Sequence, residues 1–114
     1  MSLVNRSAVV VRPREPFLQW AKQDDSTGIA ESAYEGLRSA PNAYLIPETE
    51  DDEDPRHLVR GVWPDIFEAM LEGWLIDADM WPAKRTWTMF EKWFEVQVCE
   101  CVYDLVVGET LESI

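Results

Sequence analysis

The sequence contains few of the residues that usually mark a dedicated chemistry. Its 114 residues include only two cysteines and one histidine, and two cysteines are too few for a disulfide scaffold. No apolar run reaches the roughly 18 residues that a membrane helix needs. The N-terminus also lacks the basic and then apolar pattern of a secretory signal. We therefore expect a cytoplasmic protein without a membrane segment.

Basic residues are scarce as well. The chain has 10 lysines and arginines against 22 aspartates and glutamates, for a net charge of −12. Such a surface repels phosphate backbones and anionic lipids, which argues against direct nucleic-acid or membrane binding. The charge is uneven, because residues 1–22 carry four bases and one acid whereas residues 48–54 carry six acids. This pattern predicts attraction between parts of the fold or between two copies.

Apolar residues are abundant, and they indicate a packed core. They make up 46% of the chain and include six tryptophans. The length suits a single domain over residues 1–114. Residues 24–42 and 48–54 are expected to be variable or acidic loops within it. Because an indole N–H prefers a half-wet setting, we expect about four tryptophans in the core and one or two at a groove or subunit contact.

Two short strands and two long helices are predicted. Strands near 7–12 and 42–47 follow from short, largely β-branched or apolar runs that end at prolines. A wide apolar stripe starts at Pro55 and indicates a long helix, kinked at Pro64. A second stripe predicts a helix from about Thr86 to Val107.

The predicted fold class is therefore α+β. We expect a small two-stranded sheet packed against two long antiparallel helices, with one or two short helices added. One of these short helices is predicted over residues 15–23, and a weaker helical pattern covers residues 29–38. Two strands are marginal alone, so pairing with a second copy is plausible on physical grounds.

Motifs with a specific chemistry are missing. Cys99 and Cys101 lie two apart on the predicted helix and would point about 200° apart, so they do not form a metal site. Cys101 is expected in the core. His57 has no neighbouring nucleophile and is interpreted as a surface residue. No glycine-rich phosphate loop or nucleophile elbow occurs. The sequence therefore indicates no catalytic residue, metal or cofactor, and it favours a protein that is not an enzyme.

Two sets of residues are candidate binding sites. The first is a pocket lined by Arg12, Tyr44, Trp81 and Arg85. The second is an acidic interaction patch, which either docks on a basic partner, imitates a nucleic-acid backbone or merely increases solubility. The acidic patch consists of Glu48, Glu50, Asp51, Asp52, Glu53 and Asp54.

Four segments resemble known sequences. They are NRSAVVVRPREPFLQW at 5–20, AYLIPE at 43–48, DIFEAMLEGW at 65–74 and WPAKRTWTMFEKWF at 81–94. These segments are similar to a group of small bacterial proteins known only as hypothetical proteins. The resemblance implies a bacterial cytoplasmic protein, and it brings no activity, cofactor or partner with it.

The leading functional hypothesis is a non-enzymatic protein-binding or regulatory module. We expect a homodimer in which Arg6, Arg12 and Arg14 meet the other copy's acidic patch, and we expect a basic protein as a further partner. Two alternatives remain open. One is a small ligand-binding protein or enzyme with the arginine- and tryptophan-lined pocket, and the other is an inhibitor that imitates nucleic acid.

Overall fold

The computed structural model describes residues 2–22, 31–48, 54–74 and 77–113. The predicted α+β class is confirmed, but the sheet has three strands and only one helix is long. In chain order the elements are β1 (Ser2–Leu3), β2 (Arg6–Pro13), α1 (Glu15–Lys22), α2 (Glu31–Ser39), β3 (Asn42–Pro47), α3 (Pro55–Trp74), a 3-10 turn (Ala78–Met80), α4 (Trp87–Trp93), β4 (Phe94–Cys99) and β5 (Tyr103–Asp104).

The main sheet is antiparallel, with the strand order β3-β2-β4. The β-branched run of β2 forms its centre, as expected for a strand with neighbours on both sides. Val9 lies opposite Tyr44 of β3 and opposite Val98 of β4. β1 and β5 form a separate two-stranded pair. The sheet therefore has one strand more than the sequence predicted.

The predicted helix from Thr86 to Val107 is wrong beyond its first two turns. Thr86 caps α4, since its hydroxyl accepts a hydrogen bond from the Met89 N–H at 3.1 Å. The chain then becomes extended at Phe94, with φ −135° and ψ 142°. From there apolar and polar residues alternate along FEVQVC, which is the strand period. The helical and the strand periods coincide at Phe94 and Val98, of which Phe94 is buried and Val98 is half-buried.

Helix α3 is continuous through Pro64, as the unbroken phase of its apolar stripe predicted. Asp54 caps its first turn by accepting a hydrogen bond from the Arg56 N–H at 3.0 Å. Pro64 lies on the exposed side of the helix. The opposite side supplies the helix's contribution to the core, namely Val59, Ile66, Phe67, Met70 and Leu71.

Phenylalanines, not tryptophans, form the aromatic centre of the core. All four phenylalanines are buried, whereas the six tryptophans are only partly buried around them. The expectation of four core tryptophans is therefore wrong. Their indole N–H groups need acceptors near the surface: Trp20 Nε1 donates to the Met80 carbonyl at 3.1 Å, and Trp74 Nε1 donates to the Ala21 carbonyl at 3.3 Å.

The two faces of the sheet have different surroundings. Val9 and Val11 point towards α3 and are fully buried. Because side chains alternate along a strand, Val10 and Arg12 point to the opposite face, where they are half-buried. Leu45 on that face is 53% exposed. The run of valines is thus buried on one face, and the other face is partly open.

Gly61 provides a test of the helical backbone in α3. A Cβ added there would meet no atom within 4 Å. Gly61→Ala should therefore raise the free energy of unfolding by about 0.5–1 kcal/mol, because alanine loses less backbone entropy on folding. Urea denaturation followed by tryptophan fluorescence measures this gain. A lower unfolding midpoint in the variant would contradict a regular helix at this position.

Candidate functional site

A groove lies between the first turns of α3, helix α4 and strand β4. We call it the arginine groove, and its volume is about 450 Å³. Its floor is apolar and consists of Val59 from α3 together with Phe90 and Phe94. The rings of Phe90 and Phe94 are 5.3 Å apart between centroids. The floor is therefore part of the rigid core and not a mobile surface loop.

Strand β4 forms one wall of the arginine groove. Val96 and Val98 line it and point to the same side of the sheet as Phe94, because they alternate with Glu95 and Gln97. Both valines are only half-buried. β4 is also an edge of the sheet, since the described residues include no strand paired with its outer side. The wall thus combines uncovered apolar side chains with an open strand edge.

Two arginines line the groove, and a third lies beside it. Arg14 directly follows β2, and its backbone N–H donates to the Trp93 carbonyl at 2.7 Å. Arg56 lies in the first turn of α3 and also lines the groove. Arg60 lies one turn further on, where its guanidinium carbon is 5.3 Å from the centroid of the Trp87 ring. This is a cation–π contact, which holds the guanidinium against the aromatic surface.

A smaller cavity of about 260 Å³ continues the groove past Trp87. Arg56 and Trp87 line both cavities, and the smaller one adds His57 and Arg60. The two cavities together therefore run from the wall formed by β4 to the exposed side of α3, and both arginines and carboxylates line them.

Among the described residues, no ion pair neutralises the arginines of the groove. Within the described part of the chain, ion pairs join Arg38 to Glu15 and Glu35, and Arg85 to Glu68. Arg14, Arg56 and Arg60 take part in none of those pairs. Two carboxylates, Asp54 and Glu91, also line the groove, but Asp54 is engaged as the helix cap. Unpaired arginines are unexpected in a chain with 22 acids and 10 bases.

Two of the four residues in the predicted pocket do lie together. The Arg85 guanidinium carbon is 6.0 Å from the centroid of the Trp81 ring. The same guanidinium donates to the Pro82 carbonyl at 2.8 Å and pairs with the Glu68 carboxylate at 3.0 Å. Two of its five N–H donors are therefore used within the protein. Trp81 also lines a wide, open depression with Trp20 and Trp93.

The other two residues of that pocket are separated by the sheet. Tyr44 lies opposite Val9 and so faces α3, whereas Arg12 points to the open face. The Asn42 side-chain amide donates to the Tyr44 hydroxyl at 3.3 Å. Burial raises the pKa of Tyr44 above its ordinary value, although the hydrogen bond from Asn42 lowers it slightly. Because side chains alternate along the strands, Arg12 and Tyr44 lie on opposite faces of the sheet and cannot line one pocket.

Most of the acidic patch lies outside the described residues. Of its six members, the structure describes only Glu48 and Asp54. Glu48 is exposed, and Asp54 belongs to the arginine groove as well as to the cap of α3. Glu50, Asp51, Asp52 and Glu53 are outside the described ranges.

The cysteines differ from their expected positions. Cys99 is half-buried at the end of β4 and Cys101 is exposed, and both are free thiols. The expectation that Cys101 lies in the core is wrong because it depended on a helix through residue 107. Among the described residues, no group of three histidine, cysteine or acidic side chains is arranged to hold a metal ion.

Sequence reasoning missed the arginine groove because its parts are far apart in the chain. Arg14, Arg56 and Trp87 come from three different elements. A local signal was nevertheless present: Arg56 and Arg60 lie four residues apart and therefore on one side of α3.

No α-helix within the described ranges is long and apolar enough to cross a membrane. Comparisons with protein-family models, with curated proteins and with solved structures find no match for this chain.

Proposed function

We propose that the protein is a non-enzymatic protein-binding module, and that its arginine groove binds an extended segment carrying acidic and apolar side chains. The observation that carries this proposal is that Arg14 and Arg56, which line an apolar floor, and Arg60 beside them take part in none of the ion pairs among the described residues. The expectation of a basic partner for the acidic patch is a separate proposal that concerns another surface.

The charge of the groove favours an acidic partner. A guanidinium binds a carboxylate through two parallel hydrogen bonds, which are stronger than bonds between neutral groups. The start of α3 adds the positive end of the helix dipole. Arg14, Arg56 and Arg60 therefore gather three positive charges beside the two carboxylates of Asp54 and Glu91, although the chain as a whole has a net charge of −12. An acidic segment gains attraction here that it would not gain on most of the surface.

The shape of the groove favours an extended segment. An edge strand presents backbone N–H and C=O groups that a further strand can pair with. A segment added beside β4 would place every second side chain next to Val96 and Val98 and over the apolar floor. This mode of recognition obtains affinity from the backbone and selectivity from alternate side chains.

A peptide titration followed by NMR tests the proposal. The probes are two capped octapeptides, one of alternating glutamate and valine and the other of alternating lysine and valine. We expect the acidic peptide to shift the amide signals of Val96 and Val98 and the indole signal of Trp87. The basic peptide should leave these signals unchanged, because it meets the arginines with like charge.

A pair of charge reversals provides the matched control. Arg56→Glu should weaken binding of the acidic peptide about tenfold or more, which corresponds to about 1.4 kcal/mol. Arg38→Glu changes the net charge equally, but Arg38 lies on α2 and pairs with Glu15. It should leave the affinity nearly unchanged. Equal losses in the two variants, or peptide-induced shifts away from the groove, would argue against this site.

A small anionic ligand is the second candidate function. The arginine groove has a volume of about 450 Å³, which lies within the range of small-molecule sites, about 300–1,000 Å³. The Arg60–Trp87 contact would suit an aromatic carboxylate. Phenyl phosphate and benzoate serve as probes in the same NMR experiment. Tighter binding of either probe than of the acidic octapeptide would favour this function over peptide binding.

A further inference from the structure

We infer that the partner bound by the arginine groove is a second copy of this chain, which inserts its own residues 105–113. This inference rests on the proposed function, because it names the occupant of the same groove. We call residues 105–113 the donor segment. Two copies that exchange donor segments would form a symmetric dimer with two identical contacts.

The donor segment exposes an unusual amount of apolar surface. Leu105 is 71% exposed, Val107 is 82% exposed and Leu111 is 67% exposed. Single exposed apolar residues are common, but these three and Val106, which is 59% exposed, make four within seven positions. They form a concentrated patch, and such patches mark interaction sites. The preceding β5 is paired with β1. The segment is therefore anchored at one end and displays its apolar residues to solvent.

The charge of the donor segment matches the groove. It contains Glu109 and Glu112 and no basic residue. These are the acidic and apolar side chains that the groove's arginines and floor would accommodate. Net charge opposes the approach of two copies, but the exchange places these carboxylates next to unpaired arginines. Local attraction would then offset part of the overall repulsion.

The exposed residues before Gly108 can reach the groove of a second copy. Leu105 and Val107 are both uncovered, so they can meet the half-buried Val96 and Val98 of a β4 edge. Gly108 has a φ of +81°, so the chain turns there. The part after this turn carries the two glutamates of the segment together with one exposed leucine.

A second copy explains the exposure better than the same copy does. In a single chain the donor segment is exposed while Val96 and Val98 are also incompletely covered. Both surfaces are thus left open by the fold itself. Exchange between two copies covers both of them at once. Formation of the first contact raises the effective concentration for the second, which strengthens the dimer without any new type of contact.

Sedimentation of the 114-residue chain in 0.15 M salt at micromolar concentration tests the inference. We expect a species of about twice the chain mass of 13.2 kDa. The double variants Leu105→Asp/Val107→Asp and Arg56→Glu/Arg60→Glu should each sediment as monomers. All four side chains are exposed, so circular dichroism should show that both variants remain folded. A monomer for the unaltered chain would overturn the inference.

Leu45→Asp is the control for a different dimer interface. Leu45 is exposed on the open face of the sheet, which is the other surface that a second copy could cover. We expect this variant to remain a dimer. If Leu45→Asp abolishes the dimer while the donor-segment variant retains it, the open sheet face is the interface and the inference is wrong.

A mixing experiment tests whether the two altered surfaces meet each other. The isotope-labelled Leu105→Asp/Val107→Asp chain retains an intact groove, and the unlabelled Arg56→Glu/Arg60→Glu chain retains an intact donor segment. Mixing them should shift the Val96 and Val98 signals of the labelled chain. The absence of any shift would contradict direct exchange.

A synthetic peptide of residues 103–113 separates failure of the inference from failure of the proposed function. If the glutamate–valine peptide binds the groove but the 103–113 peptide does not, the inference is overturned and the proposed function stands. If neither peptide binds, both are overturned. If the 103–113 peptide binds the groove and the dimer is lost in sedimentation, both the proposed function and the inference are supported.

Discussion

Phe67→Ala should lower the free energy of unfolding by about 3–5 kcal/mol, the usual cost of replacing a core phenylalanine by alanine. Phe67 is fully buried on α3. Its ring centroid lies 5.1 Å from that of Phe94 and 5.5 Å from that of Trp93. The substitution removes these contacts and leaves a cavity that the surrounding α4 and β4 cannot fill without moving.

Urea denaturation followed by circular dichroism measures this loss. Leu45→Ala is a suitable control, since Leu45 is also a large apolar residue but is exposed on the open sheet face. We expect its free energy of unfolding to change by no more than about 0.5 kcal/mol. A loss below about 1 kcal/mol for Phe67→Ala would be inconsistent with the cavity cost of a core phenylalanine.

Val9→Thr should lower the free energy of unfolding by about 1–3 kcal/mol. Threonine has nearly the same shape as valine and is equally suited to a strand. The substitution therefore changes little except that it places a hydroxyl between β2 and α3. Val9 is fully buried there, so the hydroxyl loses its hydrogen bonds to water.

Val10→Thr is the matched control for the neighbouring position. Val10 lies on the same strand but points to the open face, where it is half-buried. Its hydroxyl can remain hydrated, and we expect a change within about 0.5 kcal/mol. Thermal or urea unfolding of the two variants compares the two faces directly. An equal decrease in the free energy of unfolding for the two variants would show that both faces of the sheet are covered in solution.

The difference between α3 and β4 illustrates what a sequence pattern can predict. The stripe of α3 extends over five turns, and only a helix brings residues such as Phe67 and Met70 to one side over that length. The segment after Phe90 is shorter, and its apolar residues fit both the helical and the strand period. Phe90, Phe94 and Val98 repeat every four residues, whereas Phe94, Val96 and Val98 repeat every two. The local pattern alone could not decide between a helix and a strand.

Pairing with β2 decided the structure of that segment. Phe94 lies opposite Pro13, and Val98 lies opposite Val9. These contacts join residues more than 80 positions apart, so no window of local sequence contains them. β4 pairs with the edge of β2 that β3 leaves free. The two-stranded prediction had expected a second copy of the chain to pair with that edge.

The pocket predicted from the sequence was likewise correct in one half and wrong in the other. Trp81 and Arg85 were predicted together and do lie together, because they are four residues apart. Arg12 and Tyr44 were assigned to the same pocket, but strand alternation and register place them on opposite faces of the sheet. One residue of register determines the face of every side chain on a strand.

The sequence by itself determined the α+β class, the boundaries of α1 within one residue, the start of α3 at Pro55, and the two strands that end at prolines. These features depend on local periodicity, capping and backbone restrictions. Only the tertiary structure decided that β4 is a strand, that phenylalanines fill the core and that Arg14 lies beside the arginines of α3 at one groove. Those features depend on contacts between residues far apart in the chain, and the free energy of such contacts is set by the whole fold.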